Sequence, residues 1–303
     1  MNKLCRFGDY ICVFDAETIP DIEVLERSMD EDDIKNCLDE NNQIDAKKLS
    51  ELAFLRQSEI SNSSFLPVNF HKIVCISAVL ADIDGKFMRV SSIKGDSEEE
   101  ILSEFLGFID KHTPRLISYN GRGFDLPMMM IRAMKYNLSV PKYFNANDKW
   151  CNYKTRYDGA WAMDLLDFIS DFKAVSGLKL DTLCASLGLP GKYDVHGDQV
   201  LELYYNDELD KINEYCQSDA LNTYWLFLKY ELLRGNLNIS KYYEYISVMS
   251  EYLQNEKADM SYTKPFCECI ENELIKFAAS SYLPNNKAGK SNETHYEPYN
   301  DNL

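Results

Sequence analysis

An α/β fold layered around a mixed sheet is what this sequence predicts, on three observations. Short apolar, β-rich runs come first, at residues 10–14, 72–80 and 86–93. Helix, strand, helix and strand patterns then alternate from Ser97 to Met163. A long amphipathic stretch over residues 207–234 follows, with apolar positions at Leu209, Ile212, Cys216, Ala220, Tyr224, Phe227 and Leu228. Interleaved strands and helices pack around one sheet rather than separating into all-β and all-α units.

The first strand, Tyr10-Ile-Cys-Val-Phe14, ends at Asp15. An insertion at about 21–67 is acidic and weakly periodic apart from a helix at 46–59. The second and third strands form a hairpin through the turn Asp82-Ile-Asp84-Gly85. Ser97 and Glu100 make a capping box, and Ile101, Leu102, Phe105, Leu106 and Ile109 supply the stripe of the helix it opens. A fourth strand at 116–119, a Met-rich helix at 125–136 and a fifth strand at 160–163 come next. A short helix at 180–187 stops at Gly188, a loop runs from Pro190 through Gly197, and the long helix ends where Gly235 supplies a C′ residue. Further helices are expected at 242–253 and 266–282. The expected organisation is one domain over 1–235, a helical extension over 236–283, and a polar, Asn-rich, disordered tail over 284–303.

With 303 residues, 45% hydrophobic and 13% aromatic, the chain can bury a sizeable core. The N-terminus lacks the apolar stretch of a signal peptide and no run is long enough for a membrane span, so a soluble cytoplasmic protein without a membrane partner is expected. The nine cysteines are odd in number, scattered and set in apolar runs, which suits buried free thiols. No Cys-x-x-Cys pair occurs and the four histidines lack partners at ligand spacing, which leaves a zinc site little support. The net charge of −17 opposes a polyanionic ligand on average. Between Lys111 and Arg156, however, nine basic residues face only Asp125 and Asp148, a surplus of +7 that leaves −24 for the rest. Tyr and Phe residues, with Trp150, interleave with these cations. That pattern is read either as a solvated face or as a surface for single-stranded nucleic acid.

Asp15 and Glu17 stand two apart at a strand end, so they share a face. Such a pair repels itself unless a cation intervenes, and an oxygen-only donor set favours Mg²⁺ or Mn²⁺ over zinc. Tyr119-Asn-Gly-Arg-Gly-Phe-Asp125 carries a strand through a glycine loop to a helix start, where Asp125 is either a capping residue or a ligand. Tyr215 and Asp219 stack four apart on the long helix. Each pattern alone has an ordinary structural explanation, and their combination and order make the functional case.

Phe14-Asp-Ala-Glu-Thr18, Asn120-x-x-x-Phe124-Asp125 and Tyr215-x-x-x-Asp219, on strand, helix start and long helix, resemble the three motifs of the DEDD superfamily of 3′–5′ exonucleases in its tyrosine variant. The chain is most similar to the stand-alone predicted exonucleases related to the proofreading domain of family B DNA polymerases. His71-Lys-Ile-Val-Cys-Ile-Ser77, Asp164-Leu-Leu-Asp167 and the loop from Gly191 to Gly197 add to the likeness, which spans roughly residues 8–235. It implies an RNase H-like fold with a five-stranded mixed sheet in the order 3-2-1-4-5. It also implies two divalent ions, Mg²⁺ or Mn²⁺, one held by Asp15, Glu17 and Asp219 and the other by Asp15 with Asp125. Tyr215 would orient the attacking water, Thr18, Asn120 and Phe124 would lie near the terminal nucleotide, and nucleoside 5′-monophosphates would leave.

The expected activity is therefore removal of nucleotides from the 3′ end of single-stranded DNA. An exoribonuclease would share all four acids, since only contacts to the 2′-hydroxyl distinguish it. A non-catalytic nucleic-acid-binding module would be expected to lack one of the acids, and a solvated acidic surface would bind no metal saturably. No polymerase region accompanies the motifs, so proofreading in cis is not expected.

Overall fold

The computed structural model describes residues 7–191 and 197–282. Residues 192–196, with Asp194 and His196, and the tail at 284–303 lie outside them. In chain order the elements are β1 (Tyr10–Pro20), α1 (Ile22–Ser28), α2 (Glu31–Asn36), α3 (Ala46–Ser61), β2 (His71–Asp82), β3 (Phe87–Ser92), α4 (Glu98–His112), β4 (Arg115–Ser118), α5 (Asp125–Lys135) and α6 (Pro141–Phe144). They continue with β5 (Ala162–Asp164), α7 (Leu165–Ile169), α8 (Leu180–Ser186), α9 (Val200–Tyr205), α10 (Leu209–Leu233), α11 (Ile239–Glu256) and α12 (Thr263–Tyr282).

The five strands form one sheet in the order β3-β2-β1-β4-β5, with β1, β2 and β3 antiparallel and β4 and β5 parallel to β1 and to each other. This is the RNase H-like sheet that the motifs imply. Alternation along β1 divides the core: Ile11 and Val13 join the face covered by α10, α11 and α12, while Cys12, Phe14 and Ala16 join the face covered by α4 and α5. On the first face Trp225, Phe227, Tyr242 and Phe266 are fully buried, and the Trp225 indole donates to the Tyr242 hydroxyl at 2.9 Å. The C-terminal helices thus share the core of the sheet.

Local signals account for most boundaries. The Ser97 hydroxyl accepts from the Glu100 amide at 3.2 Å, while the Glu100 carboxylate takes the Asp96 amide at 2.8 Å, so the return arm of the capping box reaches one residue further back than expected. Asp82 holds the hairpin turn by accepting from the amides of Asp84 and Lys86, and Gly85 supplies φ +96°. Gly235 has φ +75° just past α10.

Three expectations need correction. β1 does not end at Phe14 but runs on to Pro20, because Asp15, Glu17 and Thr18 keep pairing with β2, at Ser77, Cys75 and Ile73, with a bulge between Glu17 and Thr18. Asp15 and Glu17 therefore sit in mid-strand rather than at a strand end. The insertion holds two further short helices, α1 and α2, around a small core of its own from Leu25, Cys37, Leu49, Ala53 and Leu66. Finally, Cys151 is disulfide-bonded, whereas Cys12, Cys37, Cys75, Cys184, Cys216, Cys267 and Cys269 are free thiols as expected. Among the described residues no helix is long and apolar enough to cross a membrane.

Candidate active site

The arrangement of strands opens a gap beside β1. β4 pairs with β1 only over Ile11 to Val13 and ends at Ser118, so beyond Val13 the β4 side of β1 has no strand. The loop from Tyr119 to Phe124 turns there and brings the start of α5 against β1. The Asp125 carboxylate occupies the gap and accepts from the Ala16 amide. The N-cap of α5 is Phe124, whose side chain makes no cap bond, so Asp125 is spent on β1 rather than on capping.

The glycines of this loop are a spatial requirement. A Cβ on Gly121 would lie 2.4 Å from the Ser118 hydroxyl, and one on Gly123 would lie 2.6 Å from the Asn120 side-chain oxygen. Asp164, at the end of β5, organises the loop from the other side: it accepts from the amides of Asn120 at 2.8 Å and Arg122 at 2.9 Å while capping α7 through the Leu166 amide.

Asp15 and Glu17 project on the α10 side of β1. Their ligand atoms and the Cys216 sulfur lie within 4.8 Å of one another. All four acids, Asp15, Glu17, Asp125 and Asp219, line one cleft of about 530 Å³ together with Thr18, Asn120 and Phe124. The Tyr215 hydroxyl is hydrogen-bonded to Asp219, and a Cβ on Gly197 would lie 3.7 Å from it. Every site residue singled out from the sequence is therefore brought to one place.

Electrostatics in the cleft are repulsive. Burial holds the Glu17 carboxyl well above the usual carboxylate range, and Asp15, Asp219, Cys75 and Asp125 add to it. Burial pushes Asp125 up to about 7, offset in part by its own amide and that of Ala16, with Asp164 raising it further. The Tyr215 phenol lies far above its ordinary value through burial and the charges of Asp219, Glu17 and Asp15, so it is a neutral hydrogen-bond donor. Burial also raises the Cys216 thiol well above its usual value. It points to Asp15, with its sulfur 3.4 Å from the carbonyl and 3.7 Å from the carboxylate, and as a protonated thiol it donates rather than ligates.

Sequence reasoning missed one wall of this cleft. Phe54, Ser64 and Phe65 come from the insertion and Leu201 from α9. Phe65 packs edge-on against Phe124, ring centroids 4.9 Å apart, and both rings meet His71, at 5.0 and 4.8 Å. His71 is buried, which lowers its pKa and keeps it neutral. Its Nε2 donates to the Leu66 carbonyl at 3.1 Å, which leaves Nδ1 to accept from the Thr18 hydroxyl at 2.9 Å. It thereby ties the exit of the insertion to β1. His71 was visible only as the first residue of the family-like run His71–Ser77; Phe54 and Phe65 carry no local signal.

An RNase H-like sheet with clustered acids at the open side of its central strand defines the class of protein. More particularly, the chain belongs to the family of predicted 3′–5′ exonucleases related to the exonuclease domain of PolB, whose model matches residues 63–270. The matched span takes in Asp125, Tyr215 and Asp219 and begins after Asp15 and Glu17. A DNA polymerase of Archaeoglobus fulgidus is 26% identical over 152 residues, which are 49% of this chain and 19% of the polymerase. The chain thus spans about a fifth of the length of that curated relative. Among solved structures, the family B DNA polymerase from the hyperthermophilic archaeon Pyrobaculum calidifontis aligns with a TM-score of 0.42 at 16% identity, covering 74% of this chain and 24% of the polymerase.

Proposed function

We propose that this exonuclease removes nucleotides from the 3′ end of single-stranded DNA with the help of two divalent ions, Mg²⁺ or Mn²⁺, and releases nucleoside 5′-monophosphates. The observation that carries the reading is the convergence of Asp15, Glu17, Asp125 and Asp219, from one strand and two helices, on one cleft where they repel each other. Carboxylate oxygens are the donors that hard divalent cations take, and a bound cation offsets the burial and the neighbouring charges that raise Glu17. Asp15, Glu17 and Asp219 would hold one ion and Asp15 with Asp125 the other. When bound, the ions supply a lowered pKa for water and stabilisation of the departing 3′ oxygen.

The protein's own groups do the positioning. Tyr215, neutral and hydrogen-bonded to Asp219, orients the attacking water without accepting its proton. Phe124, braced by His71 and Phe65, offers an apolar face to the terminal base, and Thr18 and Asn120 flank the same end of the cleft. Asp164 holds Asn120 and, through the same loop, Asp125 in register with β1.

The test is incubation of the full chain with 5′-labelled single-stranded DNA and its RNA counterpart, in Mg²⁺, in Mn²⁺ or in EDTA, resolved on a gel. A metal-dependent ladder that shortens from the 3′ end of DNA, and is absent for Asp15→Ala, is expected. Intact strands in every lane would overturn the reading, and a ladder confined to RNA would transfer it to an exoribonuclease.

A further inference from the structure

The basic run between Lys111 and Arg156 is not one surface. The structure commits Arg115 to Glu231, Arg132 to Asp21 and Glu98, Lys135 to Asp21 and Glu23, and Arg156 to Asp167. Among the described residues no carboxylate lies at ion-pair distance from Arg122, Lys142, Lys149 or Lys154. Lys142, Lys149 and Lys154 lie on the segment that joins α5 to β5, and Arg122 meets that segment at the Thr155 carbonyl.

Large rings stand out in solvent on the same segment. Phe144 is 54% exposed, Trp150 67% and Tyr157 71%. The Lys154 ammonium lies 4.4 Å from the Phe144 ring centroid and 4.1 Å from that of Tyr143, and the Lys149 ammonium 4.8 Å from that of Trp150. The platform is preorganised. Tyr143 stacks on buried Tyr153, whose hydroxyl donates to the Pro114 carbonyl at 2.6 Å. Asp148 accepts from the amides of Trp150 and Cys151, and Asn152 donates to the Asp148 carbonyl at 2.7 Å.

Beneath Phe144 runs a groove of about 460 Å³, mostly apolar, with Arg122 and Lys154 along it and Leu126, Met130 and Val140 in its lining. Burial and the charge of Arg122 hold the Lys154 ammonium below its usual range, so two cations meet there as an anion would require. The groove and the carboxylate cleft are the two sides of one loop. Asn120 and Phe124 face the cleft, while Arg122 and Leu126 line the groove, and the Arg122 guanidinium donates to the Thr155 carbonyl at 3.0 Å.

We propose that this face is the track for the body of the substrate strand: a single-stranded nucleic acid whose 3′ end lies in the carboxylate cleft crosses the 119–125 loop, sets phosphates against Arg122, Lys154 and Lys149, and stacks bases on Phe144 and Trp150. The inference rests on the exonuclease reading and deepens it. Cations alternating with exposed ring faces match a polymer that alternates phosphates with π-faced bases, whereas an acidic peptide would use the cations and leave the rings idle.

The experiment compares hydrolysis of a 20-nucleotide and a 3-nucleotide single-stranded DNA by the full chain, by Phe144→Leu/Trp150→Leu and by Lys149→Ala/Lys154→Ala. Lys264→Ala, on α12 and 84% exposed, controls for lost charge. Leucine keeps apolar bulk and removes the ring, and circular dichroism checks the fold. The ratio of kcat/KM on the long substrate to that on the short one is expected to fall roughly ten- to a hundredfold in Phe144→Leu/Trp150→Leu, the scale of one or two lost stacking contacts, and to fall in Lys149→Ala/Lys154→Ala through lost phosphate contacts. Fluorescence anisotropy of the long strand in EDTA gives a second readout. The slope of log Kd against log salt should drop by roughly 0.7 for each lysine removed, and should not change for Lys264→Ala. Cleavage of both substrates with an unaltered ratio would refute the track and leave the exonuclease standing. Absence of cleavage by the unsubstituted chain would overturn the exonuclease reading, and the salt slopes would then decide the track by themselves, unaltered slopes refuting it.

Discussion

β1 and α5 build two clusters of acids in opposite ways. Where Asp21 follows β1 and Arg132 projects from the last turn of α5, the guanidinium lies between two carboxylates, bonded to Asp21 and twice to Glu98. Glu98 is satisfied further by the Ile73 amide at 2.8 Å and the Tyr136 hydroxyl at 2.7 Å. A few residues earlier on the same two elements, Asp15 and Glu17 meet Asp125, with Asp219 of α10 beside them, and what the other three acids exert on Glu17 is repulsion. One cluster carries its cation within the chain and acts as a lock; the other, on the proposed function, takes its cation from outside. That difference separates a structural ion group from a site.

The largest effect is expected at the second cluster. Asp15→Ala or Asp219→Ala should lower turnover by roughly 10⁴-fold or more, as for groups that act as a unit. The melting temperature in EDTA should not fall, since one source of repulsion is gone; a marked fall would make the acid structural. At the first cluster Arg132→Ala should cost about 3–5 kcal/mol in urea unfolding, because it strands two buried carboxylates. Unchanged stability would mean that the lock holds nothing. Tyr215→Phe should slow turnover by roughly 10²-fold, the low end for a positioned proton-bearing group, because in its proposed role the phenol orients water and takes no proton. An unchanged kcat would remove Tyr215 from the reaction.

The smallest effect is one of sign. Asp21 is held below the usual carboxylate range because Arg132 and Lys135 outweigh its burial, so its stabilisation is present above about pH 4 and is lost as pH falls through its lowered pKa. Asp125, pushed up to about 7, keeps its proton in the native state where the unfolded chain has lost it. In EDTA its contribution to stability therefore declines as pH rises from about 4 to 7. Urea titrations across that range should show the decline in the unsubstituted chain and its loss in Asp125→Asn. Identical profiles would show that burial does not perturb this acid.

How far the sequence was legible depends on how local each signal is. The capping box at Ser97, the Gly85 turn and the end of α10 before Gly235 rest on neighbours a few residues away, and all three were readable. β1 was read short because its apolar pattern stops at Phe14, whereas the backbone goes on pairing with β2 whatever the side chains are. α1 and α2, at 7 and 6 residues, are too short to show periodicity and are held by the insertion's own core. The basic run was visible as charge, but a burial of Arg132 to 3% exposure cannot be read from charge alone.

The order and spacing of the candidate site are written into the chain: acids two apart on a strand share a face, Tyr215 and Asp219 stack four apart on a helix, and glycines let the 119–125 loop turn. Strand and helix periodicity act within one element, so these relations need no knowledge of the fold. The tertiary structure alone decided that the Ala16 amide would meet Asp125, that the Cys216 thiol would point to Asp15, that Phe65 would close the cleft over Phe124, and which cations would remain for a ligand. Those relations join residues far apart in the chain, and they are set by which faces the sheet and helices bury against each other.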